Sequence, residues 1–126
     1  MELNKSDLID PIELSQRLIR CPSVTPIEGG ALDELQAVLE GIGFKCTRLV
    51  FSESGTPDVD NLYARIGDDG PNFCFAGHSD VVPPGLSSEW SGDPFSGMIA
   101  DGKLFGRGSS DMKSAIAAFV AAAERF

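Results

Sequence analysis

The sequence has 126 residues, 42% of them apolar, and 19 Asp and Glu against 10 Lys and Arg give it a net charge of -9. That length fits one small domain with a core, while the acidic balance, with no Lys/Arg cluster to reverse it locally, excludes nucleic acid as a partner. No apolar run approaches the roughly 20 residues of a membrane span, and Met1–Asp7 lacks the basic start and apolar stretch of a signal peptide, so a cytoplasmic protein with no membrane contact is expected.

Asp10-Pro11-Ile12-Glu13 predicts a helix start: Asp10 as N-cap, Pro11 at the first helical position, Glu13 three residues past the cap, and Ile9 and Leu14 as an apolar staple. Leu14, Leu18 and Cys21 share one face and Pro22 stops the run, so this helix covers Pro11 to about Arg20. After a polar turn, Leu32, Leu35, Leu39 and Ile42 repeat at helical spacing and predict a second helix closing at Gly41 and Gly43. Phe44–Phe51 and Asn61–Ile66 read as strands on either side of a polar loop. Phe73–Ala76 is apolar at every position, the pattern of a strand covered on both faces in mid-sheet, and ends at Gly77.

From Pro83 to Pro94 the chain is expected to wander, with Trp90 and Asp93-Pro94-Phe95 pinning this loop by packing. Asp101-Gly102 at the centre of Met98–Phe105 predicts a hairpin. Met112, Ile116, Phe119, Val120 and Ala123 define one face of a last helix that starts near Asp111, with Lys113 and Ser114 on its solvated side. The order of elements predicts an α/β layered fold without repeats or a dividing linker. The helical pattern is still running at Phe126, so the chain is expected to be the N-terminal part of a longer domain. Cys21, Cys46 and Cys74 form no Cys-x-x-Cys pair and no even set, which excludes a disulfide framework and a thiolate zinc knuckle; small buried hydrophobes are expected.

The chemistry gathers at two places. His78, the single histidine, follows the apolar run with Asp80 two residues on. A neutral imidazole is a zinc ligand whose other nitrogen needs an acceptor, and Asp80 is placed to supply one; an ordinary surface or hydrogen-bonded core histidine would show the same spacing. Asp111 follows Gly106-Arg107-Gly108-Ser109-Ser110 at a helix start, where it serves either as an N-cap or as an ionised carboxylate able to bridge metal ions. The two glycines match neither a dinucleotide fingerprint nor a P-loop, and are read as allowing close backbone approach between the Asp111 and His78 loops. Arg107 reads equally as a loop brace and as a substrate contact.

In their order, Gly77-His78-Ser79-Asp80-Val81-Val82-Pro83-Pro84-Gly85, Trp90 with Asp93-Pro94-Phe95, Asp101-Gly102-Lys103-Leu104-Phe105-Gly106-Arg107-Gly108 and Asp111-Met112-Lys113 resemble the M20 family of zinc amidohydrolases and peptidases. Ile19–Pro26 and Ala121–Phe126 are similar too, so the resemblance extends over essentially the whole chain. It implies an α/β/α zinc-peptidase-like catalytic domain of which residues 1–126 are the N-terminal part, without the lid and dimerisation domain. It also implies two zinc ions, one replaceable by cobalt, with His78 on one zinc, Asp111 bridging both, Asp80 orienting His78 as a catalytic residue, and a cis peptide after the bridging aspartate, here Asp111–Met112.

The activity so implied is hydrolysis of N-succinyl-LL-diaminopimelate to succinate and LL-diaminopimelate, a step toward lysine and peptidoglycan precursors, by a protein that is a homodimer at full length. The alternatives are a sister deacylase or peptidase of the family, such as one acting on acetylornithine, an aminoacylase or a dipeptidase, and a non-catalytic metal-binding fragment completed by another chain. Ser79 departs from a common Thr, and Ser109, Ser110 and Ser114 from Ala or Gly, all small-for-small changes. The family's adjacent glutamates, further carboxylate and second histidine have no counterpart here, so this chain alone is expected to be inactive.

Overall fold

The computed structural model describes residues 7–126, so the reading of Met1–Ser6 as lacking a leader lies outside the described residues. Helix α1 spans Pro11–Arg20, and the Asp10 carboxylate accepts from the Ile12 N–H at 2.8 Å as the N-cap pattern predicts. Helix α2 spans Ala31–Gly41 and is capped from just outside: the Glu28 carboxylate accepts from the N–H groups of Gly30 and Leu32, both at 3.0 Å. Two of the donors that a helix start leaves open are thereby satisfied. The helix closes where Phe44 N–H donates to Leu39 O at 2.9 Å.

Strands β1 (Lys45–Phe51) and β2 (Val59–Arg65) pair antiparallel from Lys45↔Arg65 to Phe51↔Val59. Alternation turns Cys46, Leu62 and Ala64 toward the helical core. Arg48, on the same face, pairs across the hairpin with Asp60 and ties the hairpin to α2 through Asp33 at 2.6 Å. Strands β3 (Ile99–Ala100) and β4 (Lys103–Leu104) form the second hairpin around Asp101 and Gly102, whose φ values of 50° and 71° are the positive pair a tight primed turn requires. An irregular helical turn over Ser109–Lys113 leads into α3, Ser114–Arg125.

Leu14 and Leu18 of α1, Leu32, Leu35 and Leu39 of α2, and Ile116, Ala117 and Val120 of α3 make one buried cluster. Each large side chain there stabilises the fold by about 1.5–3 kcal/mol relative to exposure. The class is α/β as expected, and among the described residues no helix is long and apolar enough to cross a membrane.

Two expectations are corrected. Phe73–Ala76 joins no strand ladder among the described residues. One side lies on α3, where the Phe75 ring stacks on Phe119 at 4.4 Å between centroids, but Phe73 is 87% exposed. A run of apolar residues specifies an extended, coverable segment, whereas a ladder needs a neighbouring edge, and none lies alongside among the described residues. Cys74 on this segment is therefore exposed rather than buried, while Cys21 and Cys46 are half-buried; all three are free thiols.

Candidate metal centre

His78 lies on a segment without ladder partners, so its position depends on individual hydrogen bonds. The turn after α1 supplies them. Val81 N–H donates to Ser23 O at 2.8 Å and Thr25 N–H donates to Val81 O at 3.0 Å, a short parallel bridge. The fully buried Ser23 hydroxyl donates to Ser79 O at 2.6 Å, and the Thr25 hydroxyl donates to the Asp80 carboxylate. Sequence reasoning passed over Ser23 and Thr25; the signal that could have found them is the proline-bounded run Pro22-Ser23-Val24-Thr25-Pro26, a short polar stretch held to a fixed path.

The Asp111 turn is held from the other side. A Cβ on Gly106 would sit 2.4 Å from Ile19 Cγ2, and one on Gly108, at φ 87°, would sit 2.6 Å from Val81 Cγ1. Both glycines therefore permit close approach, as expected, and Gly108 brings the turn directly onto the His78 segment. Met112 Sδ accepts from His78 N–H at 3.4 Å, a second link between the loops. Lys113, expected in solvent, is instead fully buried, and its Nζ donates to Leu18 O and Cys21 O at 2.8 Å each. Burial pushes its pKa down to about 8; the neutral amine still has two hydrogens, enough for both carbonyls.

Asp111 does not cap α3. Its backbone is non-helical (φ -131°, ψ 92°), the Asp111–Met112 peptide is cis, and no side chain caps the helix that follows. The carboxylate faces His78 instead, with Oδ1 3.0 Å from Nε2. On the far side of the ring, Nδ1 lies 3.0 Å from the Asp80 main-chain oxygen and 3.4 Å from the Asp80 carboxylate. Asp80 was expected to hold the ring by its side chain; its carbonyl does so more closely.

With Nδ1–H donating to that carbonyl, Nε2 turns a lone pair toward a carboxylate oxygen. Two acceptors at this distance need a cation between them. A proton serves in one state: the Asp80 carbonyl, then the Asp111 and Asp80 charges, raise the His78 pKa against the opposing effect of desolvation. A divalent metal is the other cation such a pair of atoms could take. Donors of a zinc tetrahedron with bonds of about 2.0–2.1 Å lie about 3.3 Å apart, within a few tenths of the spacing seen. The nitrogen and oxygen donors thus fit in kind, but among the described residues no group of three or more His, Cys, Asp or Glu converges to hold a metal. The pair opens on a cleft of about 110 Å³ that Thr25, Val82 and Arg107 also line. Trp90 Nε1 donates to Pro84 O at 2.9 Å, and the Arg107 guanidinium lies over the Trp90 ring at 5.3 Å, so the long loop is pinned by packing as expected.

The family model described as Peptidase family M20/M25/M40 matches residues 74–126, the stretch that carries His78, Asp80 and Asp111. Proteins named succinyl-diaminopimelate desuccinylase are 64% identical in Rhodospirillum centenum over 117 residues, and 64% identical in Parvibaculum lavamentivorans over 116 residues. The chain belongs to the M20 family. These matches cover 93% and 92% of the chain but only 30% and 29% of the relatives, so the chain spans less than a third of the length of the M20 proteins it matches. The solved structure of human carnosine dipeptidase 1 superposes with a TM-score of 0.77 at 23% identity, covering 91% of this chain and 28% of that one, which supports the same fold.

Proposed function

We propose that this chain is the N-terminal part of the catalytic domain of a zinc-dependent amide hydrolase that cleaves N-succinyl-LL-diaminopimelate to succinate and LL-diaminopimelate. One observation carries the reading: His78 Nε2 and Asp111 Oδ1 face each other at 3.0 Å while Nδ1 is already occupied, an arrangement that asks for a cation. The shared name of relatives at 58–64% identity supports the substrate.

His78 and Asp111 would hold the metal, His78 on one zinc and Asp111 bridging to a second, with cobalt able to replace one of them. Zinc bound there would polarise the amide carbonyl and acidify a water molecule. The chain's own residues prepare for this. The Asp80 carbonyl keeps the proton on Nδ1, so that Nε2 stays free as a donor atom. Thr25 holds the Asp80 carboxylate, and Lys113 anchors the Asp111 turn to the end of α1. On this reading the general base and the remaining ligands would come from elsewhere in the protein, and residues 1–126 alone should not turn over substrate. The intact protein would be a cytoplasmic homodimer serving lysine and peptidoglycan precursor synthesis.

The test is turnover by the intact protein that carries this chain, with N-succinyl-LL-diaminopimelate and N-acetylornithine compared. Hydrolysis of the succinyl substrate that is lost in His78→Ala and Asp111→Ala supports the reading. A preference for the acetyl substrate would move the protein to the sister deacylases, and failure on both substrates with zinc bound contradicts it.

A further inference from the structure

We propose that Arg107 is a binding residue for a substrate carboxylate in the His78–Asp111 cleft. The inference rests on the functional reading above and adds to it a recognition group on this part of the chain.

The six arginines differ in what their guanidinium groups do. Arg17 pairs with Glu34, Arg48 with Asp33 and Asp60, and Arg125 with Ile9 O and Ala121 O, while Arg20 donates to Ser96 O and Arg65 to Gly67 O. Among the described residues the Arg107 guanidinium has no such partner, and its Nε–H, like that of Arg17 beside Glu34, is buried without a hydrogen bond. Buried donors of charged groups are rarely left unmet, because removing them from water without a partner is costly. Yet Arg107 is not a loose surface side chain. Its main-chain N–H donates to Pro94 O at 2.7 Å, Gly106 and Gly108 on either side are packed against Ile19 and Val81, and the guanidinium lies over Trp90.

Contact with the indole uses the face of the guanidinium and leaves its two terminal Nη groups, and not only the buried Nε–H, without a partner among the described residues. Those N–H groups form the fork that matches a carboxylate, and Arg107 lines the same cleft as His78 and Asp111. A group bound there would be an anion in the same cleft as the bond that a metal at His78 and Asp111 would act on. In an N-acyl amino acid that anion is either the carboxylate of a dicarboxylic acyl group or the α-carboxylate of the amino acid.

The experiment is calorimetric titration of the intact zinc-loaded protein with succinate and, separately, with LL-diaminopimelate, in wild type, Arg107→Met, Arg107→Gln and Arg107→Lys, with zinc stoichiometry and melting temperature measured on each. The expected result is a Kd raised about tenfold or more for one of the two products in Arg107→Met and Arg107→Gln, and partly restored in Arg107→Lys, with zinc content unchanged. Loss on succinate assigns the acyl carboxylate, and loss on LL-diaminopimelate assigns the α-carboxylate. Unchanged Kd values for both products overturn the inference, and if they come with a lowered melting temperature in Arg107→Met, the residue braces the loop instead. Repeating the titrations without zinc separates the two claims: absence of zinc at His78 and Asp111 defeats the functional reading, whereas the Arg107 dependence of product binding is still read directly.

Discussion

The three helices close Leu14, Leu18, Leu35, Ile116 and Val120 into a continuous buried cluster, each held by many neighbours. The segment from Phe73 to Lys113, which carries His78, Asp80, Arg107 and Asp111, is mostly irregular, and its position is set at a few points: the Ser23–Thr25 clamp on Ser79–Val81, the Met112 contact to His78, the two tight glycines and the Lys113 anchor. Damage to the helical side should therefore register as lost stability spread over the domain. Damage to the cleft side should register as misplaced ligands at small cost in stability. Lys113 belongs to both regions, since it grows from the Asp111 turn and ends on the carbonyls of α1.

The largest expected effect is on the helical side. Leu18 is fully buried, so Leu18→Ala should cost about 2–5 kcal/mol in urea unfolding, while zinc affinity of the folded population stays near wild type. Lys113→Met keeps the apolar bulk but leaves the Cys21 carbonyl without its donor, and should cost about 2–3 kcal/mol and also weaken zinc binding. If zinc affinity is unmoved in that variant, the two regions are not joined through Lys113. Ser23→Ala removes a buried bond to Ser79 O, about 1–2 kcal/mol, and should shift the His78 ring resonances in NMR spectra.

Smaller again in stability is Asp80→Ala, whose side chain is about half exposed. Zinc affinity should fall about tenfold, the low end for loss of a partner that orients a ligand, because the main-chain carbonyl still holds Nδ1. The smallest effect is on pH dependence. The raised His78 pKa means that its pairing with Asp111 contributes fully below the unfolded value near 6.5 and is lost as pH rises through the higher folded value. Zinc affinity should climb across that same interval, because the metal displaces the proton. An NMR titration of zinc-free protein checks the first half, and Asp111→Asn should bring the His78 pKa back down.

Much of the helical side was legible because its signals are local: Asp10-Pro11 sets the start of α1, the leucine spacing sets α2, and Asp101-Gly102 sets the β3–β4 turn. His78, Asp80 and Asp111 were legible as candidates by type, and the glycines beside them as the means of bringing their loops together; their proximity is what the structure adds. Whatever depended on distant partners was not. Lys113 sits beside a carboxylate on a polar turn and reads as solvated, but its acceptors lie 95 and 92 residues away. Phe73–Ala76 reads as a central strand because its side chains ask for cover on both faces, while a ladder depends on an edge that no residue in the run encodes. Asp111 left capping and ligation open on sequence alone, and the first is removed because no side chain caps α3 and the Asp111 carboxylate is turned to His78 instead.

The central claim, that His78 and Asp111 share a metal ion, is tested most directly by competitive zinc titration of wild type, His78→Ala, Asp111→Ala and the double variant. The account predicts that either single change removes most of the affinity and that the double variant loses little more, the signature of two ligands on one ion. Binding that survives each single change with wild-type affinity would contradict it.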